Sequence, residues 1–258
     1  MKIFAPSHML QSYSLMDALA EIKSLEFSGS EIWHEHLAEA PPPVSVLKAF
    51  PLEYTFHAPS WDINPCSRIR AIREFAQAYL IRSLDFAAAI ECRMVTFHPG
   101  YKSNPKNDYS MYEDILHDFL DLISERSAEL GLPLAMEVMD ATPNQLVNTP
   151  RTANELTALF PGLGICFDVA HGGRFSDPII QLRQLEKVIH LHLSNATPEM
   201  PHAALDQGQI DIKSILEYVQ LNYPDIIIAV EGFDPSGELE LLRRNRSYLG
   251  SINFWPQT

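Results

Sequence analysis

Six short apolar runs in this sequence end in an imidazole or a carboxylate. YTFHAP delivers His57, VTFHPG His98, LAMEVM Glu137, ICFDVAH Asp168 with His171 three residues on, HLHLSN His192, and IIIAVEG Glu231. Mixed imidazole and carboxylate sets suit Zn, Mn, Co or Fe(II) and suit Ca poorly, since Ca takes oxygen ligands alone. A single polar residue closing a strand is explained as well by solvent. Six at the same end of their runs point instead to one shared centre for divalent metal and acid–base chemistry.

To bring them together, the chain must fold so that all those ends converge. Apolar, β-branched or aromatic runs predict strands at Lys2–Ala5, Ser30–His34, Glu53–His57, Met94–His98, Pro133–Val138, Gly164–Asp168, Val188–Leu193 and Ile226–Glu231. Between them run helical patterns. Leu15, Leu19, Ile22 and Leu25 share one face, and further helices are expected at Ser67–Ile90, Tyr109–Leu130, Thr152–Phe160, Pro178–Leu185, Asp211–Leu221 and Gly237–Leu249. Pro41, Pro42 and Pro43 leave room only for a short helix at Val44–Phe50. Strands separated by helices pair in parallel through crossovers. Eight such units in 258 residues match a single (β/α)₈ barrel, which needs roughly 250. No GxGxxG or GxxxxGK[ST] supports an open nucleotide-binding sheet. The expectation is one domain over 1–258.

Other polar residues are placed by the same pattern. Glu31 and Trp33 face inward on the second strand and are expected to line a substrate pocket, with Trp61 near the mouth. His190 shares the parity of His192 one layer deeper and reads as a hydrogen-bonded core residue. His117 falls inside a helix and reads as surface, while His8, His34 and His36 follow strands, where loop residues are the plainer reading and a place lining the mouth the sharper one. Lys102, Lys106 and Arg174 lie in mouth-side loops, where solvated cations are the plainer reading and phosphate contacts the sharper one.

The totals narrow the partners. With 19 basic and 33 acidic residues the net charge is −14, and nucleic-acid affinity rests largely on cations neutralising phosphates. The basic groupings Arg68/Arg70/Arg73 and Arg243/Arg244/Arg246 sit in helical patterns, so nucleic acid is not the expected partner. Three scattered cysteines, Cys66, Cys92 and Cys166, suggest no disulfide framework and fit a reducing, cytoplasmic setting. No apolar run is long enough to span a membrane. The apolar end 252–256 must pack either on its own barrel or on a second copy in a homo-oligomer.

HAP at 57–59, HPG at 98–100, Glu137, FDVAH at 167–171, HLSN at 192–195, HAALDQGQID at 202–211 and Glu231 stand in an order that resembles the xylose isomerase-like TIM barrels, the superfamily (AP endonuclease family 2) of sugar isomerases, epimerases and endonuclease IV. The resemblance covers nearly the whole chain. In the isomerase and epimerase branch it implies one metal held by Glu137, Asp168, His192 and Glu231, with the two glutamates doubling as acid and base. In the endonuclease branch it implies that His57 and His98 join Glu137 at a further ion, and that His171 and His202 serve a third. The Asp expected two positions before His202 is replaced by Met200, and the usual LGxG reads Leu205-Asp206-Gln207-Gly208.

Two activities follow from that resemblance. The first is isomerisation or epimerisation of a sugar or sugar phosphate, a polyhydroxylated carbonyl compound, by carboxylate-mediated proton transfer through a metal-stabilised enediolate. The second is phosphodiester hydrolysis over two or three ions. Net charge and Met200 favour the first.

Overall fold

The computed structural model describes residues 1–37, 41–174, 176–233 and 236–255. Eight strands, β1 (Lys2–Pro6), β2 (Gly29–Trp33), β3 (Glu53–His57), β4 (Val95–Phe97), β5 (Leu134–Val138), β6 (Leu163–Asp168), β7 (Val188–His192) and β8 (Ile227–Ala229), pair in parallel and in chain order, and β8 closes on β1. The closed (β/α)₈ barrel expected from the sequence is the observed fold.

The outer ring holds α1 (Leu15–Ser24), α2 (Val44–Ala49), α3 (Arg70–Ala89), α4 (Glu113–Leu130), α5 (Pro150–Leu159), α6 (Val169–Gly173), α7 (Pro178–Leu182), α8 (Ile212–Asn222) and α9 (Glu240–Ser251). Local signals set their ends. Ser14 and Thr149 accept backbone N–H groups at the starts of α1 and α5, and Pro150 opens α5. Gly131, at φ 62°, stops α4. The helix expected over Tyr109–Leu130 is split, with a 3₁₀ turn at Tyr109–Met111 ahead of α4. From the two basic groupings, Arg70 pairs with Glu74, Arg244 with Asp206 and Arg246 with Glu26.

Four strands end earlier than expected, β2 at Trp33 and β7 at His192 by one residue each, and the other two corrections bear on the site. β4 stops at Phe97 and β8 at Ala229, so His98 and Glu231 stand just past the last paired residues. Pro99 has no N–H to continue a ladder, and Gly232 lets the chain leave it. The two side chains therefore enter the mouth from the strand-to-loop corner.

Along each strand the alternation has period two. Ile32, Phe56, Val95, Phe97, Met136, Phe167, Leu191 and Ile228 belong to one apolar cluster together with the helix residues Leu19, Ile22, Leu84, Leu116, Phe119, Leu156 and Leu216. The intervening residues turn into the bore. Barrel bores are commonly filled by layers of Val, Ile and Leu; this one instead buries Glu31, Thr55, Thr96, Cys166 and His190 beneath the mouth. At the other end Trp255 is buried edge-on against Phe27, with ring centroids 4.7 Å apart, and Arg246 lies over it. The described part of the apolar C-terminus thus packs on its own barrel, while residues 256–258 lie outside the described residues.

Candidate metal and acid–base centre

β5 places Glu137 at the centre of the mouth. Its Oε2 lies 3.2 Å from Nε2 of His98, 3.5 Å from Nε2 of His57 and 3.6 Å from Nδ1 of His192, and its Oε1 lies 3.3 Å from Nδ1 of His171. His57, at the end of β3, has Nδ1 2.8 Å from the carbonyl of Ala58, so that nitrogen donates and Nε2 is left facing Glu137. Trp33 stacks flat on His57 at 3.9 Å and also meets His8 at 3.9 Å, which fixes the ring from behind.

The spacing between Asp168 and His171 has a local cause. Asp168 is the N-cap of the short helix α6, an element the sequence did not reveal, and its Oδ1 accepts the His171 N–H at 2.8 Å. Capping to the third helical position needs that interval. It commits one oxygen of Asp168 and leaves Oδ2 turned into the mouth, 3.9 Å from Nδ1 of His192 and 3.8 Å from Nδ1 of His202.

His192 faces three carboxylates with one nitrogen. Its Nδ1 lies 3.2 Å from Oε2 of Glu231, besides its contacts with Glu137 and Asp168. Its Nε2 lies 3.2 Å from Oε2 of Glu31. Glu31 is thereby corrected: it does not line the pocket but sits below it, buried, contacted also by His190 Nε2 at 3.0 Å and by Thr96 Oγ1 at 3.3 Å. His190 is the hydrogen-bonded core residue expected, its Nδ1 meeting the carbonyl of Ile227.

His202 arrives on the loop between β7 and α8, in a left-handed backbone conformation at φ 54°. Asn195 braces that loop. Its Oδ1 accepts from the N–H groups of Ala196 and Ile210, and its Nδ2 donates to the carbonyls of Leu205 and Ile210. The second glycine of the loop, Gly208, is required, since a Cβ there would stand 2.1 Å from Asn195 Oδ1. Met200 leaves the third group short of one carboxylate, yet ligand atoms of Asp168, His171 and His202 still gather within 4.8 Å of one another. The same holds for His57, His98 and Glu137, and for Glu137, Asp168 and His192.

Electrostatically the centre is a knot of opposed charges. Burial alone would raise the Glu137 pKa, but His98, His57 and His192 hold it well below the ordinary value. Burial likewise opposes charge on Glu231, and His202 and His192 outweigh it, lowering its pKa. For Asp168 burial wins over His171 and His202, and the pKa is raised. Burial would lower the His171 pKa, but Asp168 and Glu137 push it to about 9. Oxygens of Glu137, Asp168 and Glu231 and nitrogens of His57 and His192 remain buried with no hydrogen-bond partner. Buried groups of this kind are costly unless a cation or proton joins them.

Above the centre opens a cavity of about 500 Å³ whose walls include His8, Trp33, Trp61, Met139, Met200 and Phe233. Trp33 and Trp61 were expected there, and His8 was one of the histidines that could line the mouth; Met139 and Phe233 were not expected. His8 follows β1 as the other histidines follow their strands, and that analogy was its available signal. Phe233 and Met139 carry none. His34 meets Tyr79 and His36 the carbonyl of Tyr13, both away from the cavity, and His117 is half-buried against Phe160.

Known structures share this architecture. A D-tagatose 3-epimerase-like protein superposes with a TM-score of 0.82 at 23% identity, covering 98% of either chain. An L-ribulose 3-epimerase gives 0.83 at 15%, covering 97% of this chain and 94% of that one. The IOLI protein crystallised with a zinc atom gives 0.81 at 16% over 100% of both. At such identities the likeness is one of fold. The family described as xylose isomerase-like TIM barrel matches residues 19–255, and this chain belongs to it.

Proposed function

We propose that this chain is a divalent-metal-dependent isomerase or epimerase of a polyhydroxylated carbonyl compound. The observation that carries the reading is the convergence of Nδ1 of His192 with Oε2 of Glu137, Oδ2 of Asp168 and Oε2 of Glu231 at 3.2–3.9 Å, all four buried and unpartnered. Ligands about 2.0–2.2 Å from one ion stand some 3–3.5 Å from each other; Glu137, Asp168 and His192 already bring ligand atoms within 4.8 Å of one another and Glu231 lies 3.2 Å from the same His192 nitrogen, so a shared cation needs only a small inward shift. Zn, Mn, Co or Fe suits one imidazole and three carboxylates. The names of two structural neighbours, an epimerase and an epimerase-like protein, and the zinc in a third support the same reading.

A bound divalent cation supplies Lewis acidity, polarising neighbouring carbonyl and hydroxyl oxygens and acidifying the C–H between them. The chain's own residues do the rest. Glu137 from β5 and Glu231 beyond β8 reach the centre from either side of β7. Each is held as a carboxylate, so one removes the proton and keeps it until it is lost to water, while the other takes a proton from water and delivers that one from its own side. His98, His171 and His202 stand at the cavity wall, where they orient hydroxyl groups.

The test is hydrogen exchange with solvent. The metal-loaded protein, incubated with a ketose panel in D₂O, is expected to give epimer labelled at the exchanged carbon. Glu137→Gln and Glu231→Gln are each expected to cost about 10²–10⁴-fold. Full activity in either variant overturns the mechanism. The cluster of His57, His98 and Glu137 favours a second reading, a multinuclear phosphodiesterase. Two or more ions per chain and cleavage of an abasic-site duplex would select it.

A further inference from the structure

Beneath the mouth lies a second group of donor atoms that the chemistry above does not use. Cys166 on β6 and His190 on β7 stand opposite each other in register, one layer below Asp168 and His192. Ligand atoms of Cys166, His190 and His192 lie within 4.8 Å of one another, and all three residues are buried. Glu31, also buried, reaches the two imidazoles from β2.

Two features of this group call for a positive charge. The carbonyl of Ile227 can only accept, so Nδ1 of His190, 2.9 Å away, carries the ring's proton. A neutral ring then turns a bare Nε2 toward Oε1 of Glu31 at 3.0 Å, acceptor against acceptor. The second feature is the Glu31 carboxylate itself. Its Oε1 is met also by Thr96 Oγ1 at 3.3 Å and His192 Nε2 at 3.4 Å. Its Oε2 makes no hydrogen bond, although it is buried and 3.2 Å from His192 Nε2. A carboxylate oxygen held this deep is costly unless a cation or a proton reaches it.

We propose that Sγ of Cys166, Nε2 of His190 and the carboxylate of Glu31 hold a structural zinc ion in the bore, separate from the ion of the mouth. With Zn–S about 2.3 Å and Zn–N or Zn–O about 2.0–2.2 Å, tetrahedral ligands stand roughly 3.3–3.8 Å apart. The spread of Cys166 and His190 and the approach of His190 to Glu31 reach that spacing with a small inward shift. A carboxylate bound through both oxygens completes four donor atoms and leaves no position for water, as in closed structural sites. Thiolate and carboxylate together balance the two positive charges, so the buried site is neutral in sum. Binding sends the thiol proton of Cys166 to solvent, and His190 keeps its Nδ1–H on Ile227. His192 is no ligand of this ion. It keeps Nδ1 for the mouth and links the two centres through its Nε2–H on Glu31. A thiolate selects zinc or cobalt over manganese, whereas the carboxylates of the mouth accept either. The bore site stands whatever reaction the mouth performs.

The experiment refolds the full chain in Co(II), removes exchangeable metal with EDTA, and reads metal content and absorption. One cobalt per chain is expected to resist EDTA and to give a thiolate-to-cobalt charge-transfer band in the near ultraviolet. Refolding in Mn(II) is expected to leave no EDTA-resistant ion. The chain has three cysteines, so the double variant Cys66→Ala/Cys92→Ala leaves Cys166 as the sole thiol; it is expected to keep both the band and the resistant ion. Cys166→Ser is expected to lose both while still taking up exchangeable metal. Absence of the band from the wild type or from the double variant overturns the proposal, even should Cys166→Ser fail to fold. So does a band that Cys166→Ser retains, or a resistant ion that gives no band. A proton shared between His190 and Glu31, in place of a metal, would produce the first of these results.

Discussion

Nε2 of His192 lies 3.2 Å from Oε2 of Glu31, and this contact decides which way the imidazole faces. With Nε2–H donated downward, the lone pair on Nδ1 is left for the mouth. Histidines that bind metal commonly give their second nitrogen to a carboxylate, which fixes the tautomer. Glu31 reaches His192 from β2, across the bore, and Burial would raise its pKa were it not for His192 and His190, which hold it well below the ordinary value.

Glu31→Gln is accordingly expected to weaken metal binding about 10–100-fold, measured by competition with a chelating dye. The fold should persist, since the amide N–H can donate to Nε2 of His190, whose Nδ1 donates to the carbonyl of Ile227. Unchanged affinity would separate Glu31 from the centre.

Asn195 and Gly208 should behave as one device. Asn195→Ala leaves four backbone groups of the His202 loop without their partner, and Gly208→Ala drives a Cβ into the amide. Each is expected to cost roughly 1–3 kcal/mol and to speed amide exchange over residues 196–210. Protection unchanged in both variants would dissociate the pair from the loop.

Gly29 sits where β1 and β3 crowd β2. A Cβ there would stand 2.4 Å from the Phe4 ring and 2.5 Å from the backbone oxygen of Glu53. The ring can shift but the oxygen cannot. Gly29→Ala should lower stability by about 1–3 kcal/mol, or roughly 2–4 °C in Tm per kcal/mol, with the double variant Phe4→Leu/Gly29→Ala only partly restored.

His8 gives a pH dependence whose sign is fixed. Burial lowers its pKa to about 4, against the pull of Glu231 and Glu31, with His57 and His202 lowering it further. In the unfolded chain it titrates near 6.5. Between those values the unfolded state holds a proton that the native state does not, so stability falls on acidification from about pH 6.5 to about pH 4 and levels off below. Urea titrations in EDTA should show a shallower loss for His8→Phe than for the wild type. Equal slopes would remove His8 from the account.

The strand ends were legible because two signals coincide there: alternation of period two, and a polar residue where an apolar run stops. Glu137, Asp168, His171, His192 and Glu231 were found this way, and the barrel made them neighbours. Glu31 shows the limit. Alternation says that a side chain faces the bore, but not at which depth, and only the stagger of β2 against β7 puts it beneath His192 rather than beside a ligand. The helix α6 is a single turn, too short for any periodicity, although its cap, Asp168, was in view. Phe233 and Met139 lie in segments whose course is set by contacts distant in sequence.

The bore beneath the mouth, filled with Glu31, Thr96, Cys166 and His190 where aliphatic side chains are usual, has a consequence for the life of the chain. Oil would hold such a cylinder closed in any buffer; here Glu31 leans on His190 and His192, and the acids above it, Glu137, Asp168 and Glu231, stay together only in the company of a counter-charge. Whatever binds the folded form and not the unfolded one raises folding stability with its free concentration. Starvation for transition metals should then thin out the protein itself, through proteolysis of loosened chains, before any question of turnover arises.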